Sequence, residues 1–391
     1  MVVGAELRSS AAPLIKSWHG SDVDVTTVRR QIEQLWQQVT SDTTDTCAVK
    51  TQAFNLVAYA SNETLLRRLV TSLTEVSKRQ PSRTVIVLAD RLRPESAIDA
   101  EVSIDCSDLA AAGLCQENVK IIAHGRAADH VESVVAPLLL KQLPTYLWWP
   151  GQLPLGHRAF HALLSVANQL IIDSADFASP GDGYASVGRL AAATQGVNDL
   201  NWARLAPWRE TIALFFDGPG VRDYVNGIQS MEIVFGRGEA DFVSATASTL
   251  LLLGWMACRL GWETETSLEG LATKDVTLSV LAGERLIPIQ LKLADRGAAA
   301  AGRLVHVSIE AELGSRPPAS FSIDRSDDLE YVTITTAVEG EQDVCSALPL
   351  HRKTDEEHLA DELSLAGHDT LYEQVVQFAA RMGGRETWQP I

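Results

Sequence analysis

The sequence predicts an α/β protein whose N-terminal part carries a mostly parallel sheet flanked by helices. An α+β part follows, with an antiparallel meander and C-terminal helices. Two observations carry this. In the first part, short apolar runs alternate with stretches of helical periodicity, the pattern of helices laid over a parallel sheet. From about residue 276 to 349, consecutive strand-like runs follow one another with no helix between them, which points to antiparallel pairing. A composition of 46% hydrophobic and 21% charged residues over 391 positions supplies a full core and excludes wholesale disorder.

Taken in order, Val25, Val28, Ile32, Leu35, Trp36 and Val39 recur at helical spacing, with Asp24 or Ser21 as the cap. Phe54 to Ala60 alternates as a strand, and Leu65 to Val76 returns to helix. Thr84 to Ala89 (TVIVLA) is continuously apolar, the signature of a strand covered on both faces. Val102, Ile104 and Cys106 alternate as in a half-exposed strand, and Val119 to Ala123 is a further strand. Residues 127–143 are expected to be helical, shortened or kinked by Pro137. Thr145 to Trp149 and residues 169–173 read as strands on either side of a helix at 157–168.

The turn cluster Ser179-Pro180-Gly181-Asp182-Gly183 suggests a linker, dividing the chain into domains 1–180 and 181–391. Helices are expected at 185–194 and 201–216, the latter broken near Pro207, then a strand at 229–235 and a long helix at 239–262. The uncharged stretch of that helix, Phe242 to Cys258, falls short of the ~20 apolar residues a bilayer requires and reads as a buried core helix. Six strand runs follow, and Gly297 to Gly302 (GAAAAG) is read as a flexible hairpin turn. Helices at 355–365 and 369–382 close the pattern.

Charge narrows the function classes. With 33 Lys+Arg against 50 Asp+Glu the net charge is −17, which disfavours both nucleic acid and anionic membranes as partners. The opening residues contain Glu6, Arg8, Lys16 and His19 rather than a signal-peptide core, so a cytoplasmic location is expected. Five cysteines, with Cys106 and Cys115 nine positions apart, make no disulfide framework, and buried inert thiols are expected.

Catalytic signatures are sparse. There is no Gly-Lys pair and hence no Walker loop. None of the three Gly-x-Gly pairs opens a helix after a first strand, so no nucleotide cofactor is expected. His157 and His161 share a helical face but lack a third ligand, so no metal is expected either. No Gly-x-Ser-x-Gly elbow is present. A catalytic alternative would place Arg83, His124 or His157 in a cleft facing a sugar phosphate.

The aromatic residues say more. Leu143-Pro144-Thr145-Tyr146-Leu147-Trp148-Trp149-Pro150-Gly151 sets three large rings in one short strand, and alternation sends Trp148 and Trp149 to opposite faces. At least one ring packs on the core; the other is a candidate for exposure at the strand's end. Between Thr354 and Glu373 lie seven acidic residues and no Lys or Arg, a solvated helical face or one that steers a basic partner.

This tryptophan strand, preceded by Pro81-Ser82-Arg83, resembles the OpcA family of glucose-6-phosphate dehydrogenase assembly proteins. Further segments agree in the same order. Asp199-Leu200-Asn201-Trp202-Ala203-Arg204-Leu205 and Pro207-Trp208-Arg209-Glu210 are similar to the family's DLxWxRLxxWRE stretch. Ser346-Ala347-Leu348-Pro349-Leu350, Leu359-Ala360-Asp361-Glu362-Leu363 and Tyr372-Glu373 are similar to its C-terminal ending. The resemblance implies a non-catalytic partner and allosteric activator of oligomeric glucose-6-phosphate dehydrogenase, acting in the oxidative pentose phosphate pathway. The C-terminal cysteine pair through which some cyanobacterial members are linked to thioredoxin has no counterpart after Cys345, so reduction is expected to leave activation unchanged. Because Trp and Arg are enriched at interface centres, Tyr146, Trp148, Trp149, Trp202, Arg204, Trp208 and Arg209 are the expected partner-binding residues.

Overall fold

The computed structural model describes residues 15–42, 52–77, 79–106, 115–191, 196–238, 241–264, 276–351, 353–364 and 369–383. They form two mixed sheets with flanking helices, the α/β class that the periodicity predicts. The chain divides into one unit of Met1–Trp149 with Gly156–Leu170 and a second of Pro150–Leu155 with Ile171–Ile391.

In the first unit, β1 (Ile15–Gly20) leads to α1 (Val25–Asp42), β2 (Phe54–Ala60), α2 (Glu63–Ser77) and β3 (Ser82–Asp90). Then come β4 (Ile98–Asp105), β5 (Gln116–His124), a short α3 (Glu132–Val135), β6 (Thr145–Trp148) and α4 (Arg158–Leu164). The strand order is β1-β4-β5-β3-β2-β6. β5, β3, β2 and β6 run parallel, while β4 and β1 are antiparallel additions at one edge. All seven residues of β2 are buried, as befits a strand with neighbours on both edges and cover on both faces. Val28, Ile32, Leu35, Trp36 and Val39 form the buried stripe of α1. Asp24 caps that helix, its Oδ1 accepting from Thr27 N at 2.7 Å, and this bond holds the carboxyl below its usual pKa.

Two local expectations fail here. Residues 127–143 form no continuous helix. A 3-10 turn at Gly125–Asp129, α3 and a second 3-10 turn at Ala136–Leu138 replace it, because Pro137 has no amide hydrogen to extend the ladder. Cys106 and Cys115 are not separate thiols. They form a disulfide that ties the end of β4 to the start of β5.

In the second unit the order is β7 (Gln169–Ile172, which begins in the first unit), α5 (Pro180–Ala191), β8 (Val197–Asp199), α6 (Leu200–Arg204) and α7 (Ala206–Leu214). β9 (Ile228–Gly236), α8 (Asp241–Leu260), β10 (Glu263–Thr264), β11 (Val276–Ala282) and β12 (Arg285–Ala294) follow. The chain continues with β13 (Leu304–Ala311), β14 (Ala319–Arg325), β15 (Tyr331–Val338), β16 (Val344–Pro349), α9 (Asp355–Ser364) and α10 (Thr370–Gly383). The 179–183 cluster is the start of α5 rather than a linker. Pro180 occupies the first helical turn, where its missing amide hydrogen costs nothing, and Gly183 N already donates to Ser179 O at 2.9 Å. Gly181 is there for contact, since a Cβ would collide with the Gly383 carbonyl on α10. α8 is long and apolar enough to cross a membrane, but Leu250, Leu251, Leu252 and Leu253 are buried, and the helix packs on α5 and α10.

The second sheet is ordered β10-β11-β12-β9-β13-β14-β15-β16. The meander is therefore interrupted: β9 sits between β12 and β13, parallel to the first and antiparallel to the second. The Gly297–Gly302 segment is accordingly a crossover and not a hairpin turn. It is pinned by Gly302 N donating to Gly236 O at 3.0 Å and Gly236 N donating to Arg303 O at 2.8 Å. Gly236 permits the approach, because a Cβ there would collide with the Ala300 carbonyl.

Candidate functional site

A dense polar constellation in the second unit is built around α6. Asp199 ends β8 with extended backbone and caps α6, its Oδ1 accepting from Asn201 N at 3.0 Å and Ser174 N at 2.9 Å. Its other oxygen accepts from the Tyr372 hydroxyl of α10 at 2.9 Å. Asn201 Nδ2 donates to Ser174 Oγ at 3.0 Å and its Oδ1 accepts from Ser248 Oγ of α8 at 2.9 Å. The Tyr184 hydroxyl of α5 bonds Ser174 Oγ and the Ala247 carbonyl, both at 2.9 Å. One buried network thus joins α5, α6, α8 and α10.

The charges are unevenly shared. Arg204 forks onto Asp173, with Nη1 to Oδ1 at 2.8 Å and Nη2 to Oδ2 at 2.5 Å, and reaches Asp355 through Nε at 3.2 Å. Burial opposes the guanidinium charge, but the two carboxylates outweigh it and raise its pKa. Asp199, by contrast, is pushed up to about 6 by burial and by the neighbouring Asp173 charge. Tyr372 is driven well above its usual range by burial and the Asp199 charge.

Each expected partner-binding side chain has an internal place. The rings of Tyr146, Trp148, Trp149, Trp202 and Trp208 are all at least nine-tenths buried. Trp149 stacks on Tyr59 with centroids 4.0 Å apart and meets Phe160 edge-on at 4.9 Å. Trp202 Nε1 donates to Asp369 Oδ2 at 2.9 Å. Arg209 lies 3.3 Å over the Trp202 ring and donates to Trp202 O at 2.8 Å, and its burial lowers the guanidinium pKa to about 10. The expectation that one tryptophan of the strand is exposed is corrected: β6 has cover on both faces, so alternation sends both rings into apolar surroundings. Trp202, Arg204 and Arg209 gather with the Asp199 network, whereas Tyr146, Trp148 and Trp149 belong to the first unit.

Of the residues of the catalytic alternative, Arg83 and His124 do not meet. Arg83 pairs in register with Glu117 and Asp90 with His124. Arg83 and His124 therefore stand at opposite ends of the same pair of strands, roughly 23 Å apart at ~3.3 Å per residue. Arg83 Nε lies 2.5 Å from Glu117 Oε1, and the pair is closed by Trp36 Nε1 donating to Oε2 at 2.8 Å. His124 is held between Asp90 and Asp99, 3.1 Å from each. Among the described residues, no three His, Cys, Asp or Glu side chains are grouped to hold a metal ion.

Reading the sequence alone missed Asp199, Ser174, Tyr184, Ser248 and Tyr372 as members of one site. The legible signal was the cap: an Asp directly before an apolar helical turn.

Comparison with known proteins explains why these residues come as motifs. A family model described as the glucose-6-phosphate dehydrogenase subunit N-terminal domain matches residues 73–189. Another, described as the C-terminal domain of that subunit, matches residues 195–376. The chain belongs to the OpcA family. This OpcA-family chain is 28% identical over 243 residues to the OxPP cycle protein OpcA of Synechocystis, covering 61% of the chain and 50% of the relative. It is 31% identical over 191 residues to its namesake from Synechococcus elongatus, covering 48% and 41%. The chain thus spans about half the length of the curated relatives it matches. An oxidoreductase structure from Sinorhizobium meliloti superposes with a TM-score of 0.46 at 11% identity, over 85% of this chain and 95% of that one. In the OpcA-family chain, the DLxWxRLxxWRE stretch and the C-terminal ending meet: Tyr372 bonds Asp199, Asp369 bonds Trp202, and Glu362 Oε2 accepts from Asn198 Nδ2 at 2.7 Å.

Proposed function

We propose that this chain is a non-catalytic partner of glucose-6-phosphate dehydrogenase, an assembly factor and allosteric activator that serves the oxidative pentose phosphate pathway in the cytoplasm. The observation that supports it is the consecutive match, in chain order, to both domains described for a glucose-6-phosphate dehydrogenase subunit. An activator shifts its target only by binding one state more tightly than the other, so the chain must favour the enzyme's active oligomer.

The test couples NADPH production by the dehydrogenase, with and without the chain, to mass photometry of the mixture. The expected outcome is no turnover by the chain alone, changed kinetics in the mixture and a shift toward larger assemblies. Turnover of glucose 6-phosphate by the chain alone would make it an enzyme. Unchanged kinetics and unchanged masses would remove the partner.

A further inference from the structure

Next to the Asp199 network, and wholly within the second unit, lies a cavity of about 420 Å³, within the range of small-molecule sites. Its charge runs against the rest of the chain. The four cations Arg204, Arg303, Arg325 and Lys353 line it beside His351 and His358, against the three acids Glu210, Asp361 and Glu362, in a protein whose net charge is −17. Several of these cations are fixed in place. Arg325 is buried and donates to Leu329 O at 2.9 Å and Leu350 O at 3.2 Å. Arg204 is clamped by Asp173 and Asp355. Of the acids, Glu362 already accepts from Asn198, and Asp361 from Lys353 at 2.8 Å. Apolar side chains of Trp208, Phe235, Leu304 and Leu350 complete the lining.

Fixed guanidinium donors beside an apolar wall suit a ligand with a dianionic head and a short carbon body. We propose that this cavity binds a small phosphomonoester metabolite, its phosphate held by Arg303, Arg325 and Lys353 and its carbon body set against Trp208 and Leu304. Neither the family match nor the partner reading assigns such a site.

His358 gives the site a pH signature. Burial, then the charges of Arg204 and Lys353, lower its pKa, while Asp355 and Asp361 act in the opposite sense. A dianion in the cavity adds a further opposing charge, so binding takes up a proton and strengthens as pH falls from 8 to 6.

The experiment is a calorimetric titration of the full chain by itself, so its result does not depend on any protein partner. Glycerol 3-phosphate is the main probe, glycerol its uncharged control, and sulfate a dianion whose charge is constant over this pH range. Saturable 1:1 binding of glycerol 3-phosphate and none of glycerol is expected. Arg303→Gln and Lys353→Gln should each weaken binding about tenfold, the loss of one charged hydrogen bond, with the melting temperature unchanged for Lys353→Gln. Sulfate should bind more tightly at pH 6 than at pH 8, and His358→Asn should flatten that difference. No saturable binding of either anion up to about 10 mM, or binding untouched by both charge variants, would overturn the proposal. So would a third result: no anion binding, but weakened association of both variants with the dehydrogenase, which would make the cavity a seat for an acidic side chain of the partner.

Discussion

In the first unit, Glu117 is fully buried on β5 and meets a guanidinium, with Trp36 and Gln52 completing its shell. In the second unit, Asp199 is equally enclosed, yet the donors that touch it are two main-chain amides and the hydroxyls of Tyr372 and Ser174. The nearby cation, Arg204, is committed to Asp173 instead. The two sites show two solutions to burying a carboxylate. Pairing sets it against a cation that depends on it. Neutral donors hold it without a counter-charge, and its affinity for a proton rises. The first solution ties stability to a specific ion pair; the second ties it to pH.

The sharpest way to break the comparison is Glu117→Gln. The amide keeps the shape but leaves Arg83 buried without its counter-charge, so a loss of about 3–5 kcal/mol is expected in urea unfolding. A loss below ~1 kcal/mol would mean that the Arg83 charge is compensated elsewhere. Both Trp149 and Trp208 are core rings, one in each unit. Their truncation, Trp149→Ala and Trp208→Ala, should cost a similar ~3–5 kcal/mol. Normal melting of either variant together with lost activation of the dehydrogenase would instead restore that ring to the partner surface. The third change opens the Cys106–Cys115 bridge. Cys115→Ser should cost about 2–3 kcal/mol, the closure entropy of a loop of roughly ten residues, and melting under dithiothreitol should show the same loss. Melting that ignores both treatments would show that the bridge contributes nothing.

The smallest effect separates the two carboxylates most cleanly. The folded-state pKa of Asp199, about 6, lies above its ordinary 3.8, so between these values the folded chain holds a proton that the unfolded chain has released. The contribution of Asp199 to stability is therefore greatest at low pH, declines as pH rises from about 4 to about 6, and is flat above. Asp199→Asn mimics the protonated form. We expect the variant to lack this slope, so that its stability relative to the parent rises by about 2 kcal/mol as pH rises from about 4.5 to about 6 and is constant above, read by urea unfolding from about pH 4.5 to about 7.5. Identical pH profiles for parent and variant would show that Asp199 does not titrate in this range.

Much of the fold was legible because periodicity reports burial, which is a local property. TVIVLA announces β3 as a strand covered on both faces, and the stripe from Val28 to Val39 announces α1. The run of apolar residues in α8 likewise announces a core helix. Short motifs around Trp148, Trp202 and Tyr372 indicated a dehydrogenase-associated family without saying what those residues do. What they do was invisible because Asp199 and Tyr372 are 173 positions apart, and no local pattern records that the two meet.

By itself, then, the sequence determined which segments are helix or strand, which faces are apolar, and which short motifs the chain carries. Tertiary structure alone decided that β9 enters between β12 and β13, turning a glycine-alanine stretch that resembles a hairpin into a crossover. It also decided that Ser179-Pro180-Gly181 opens a helix and that Cys106 meets Cys115. The physical reason is the same in each case. Backbone preference and hydrophobic period act over a few residues and are written in each segment, whereas strand partners, close glycine contacts and charge pairing depend on what the rest of the chain brings alongside.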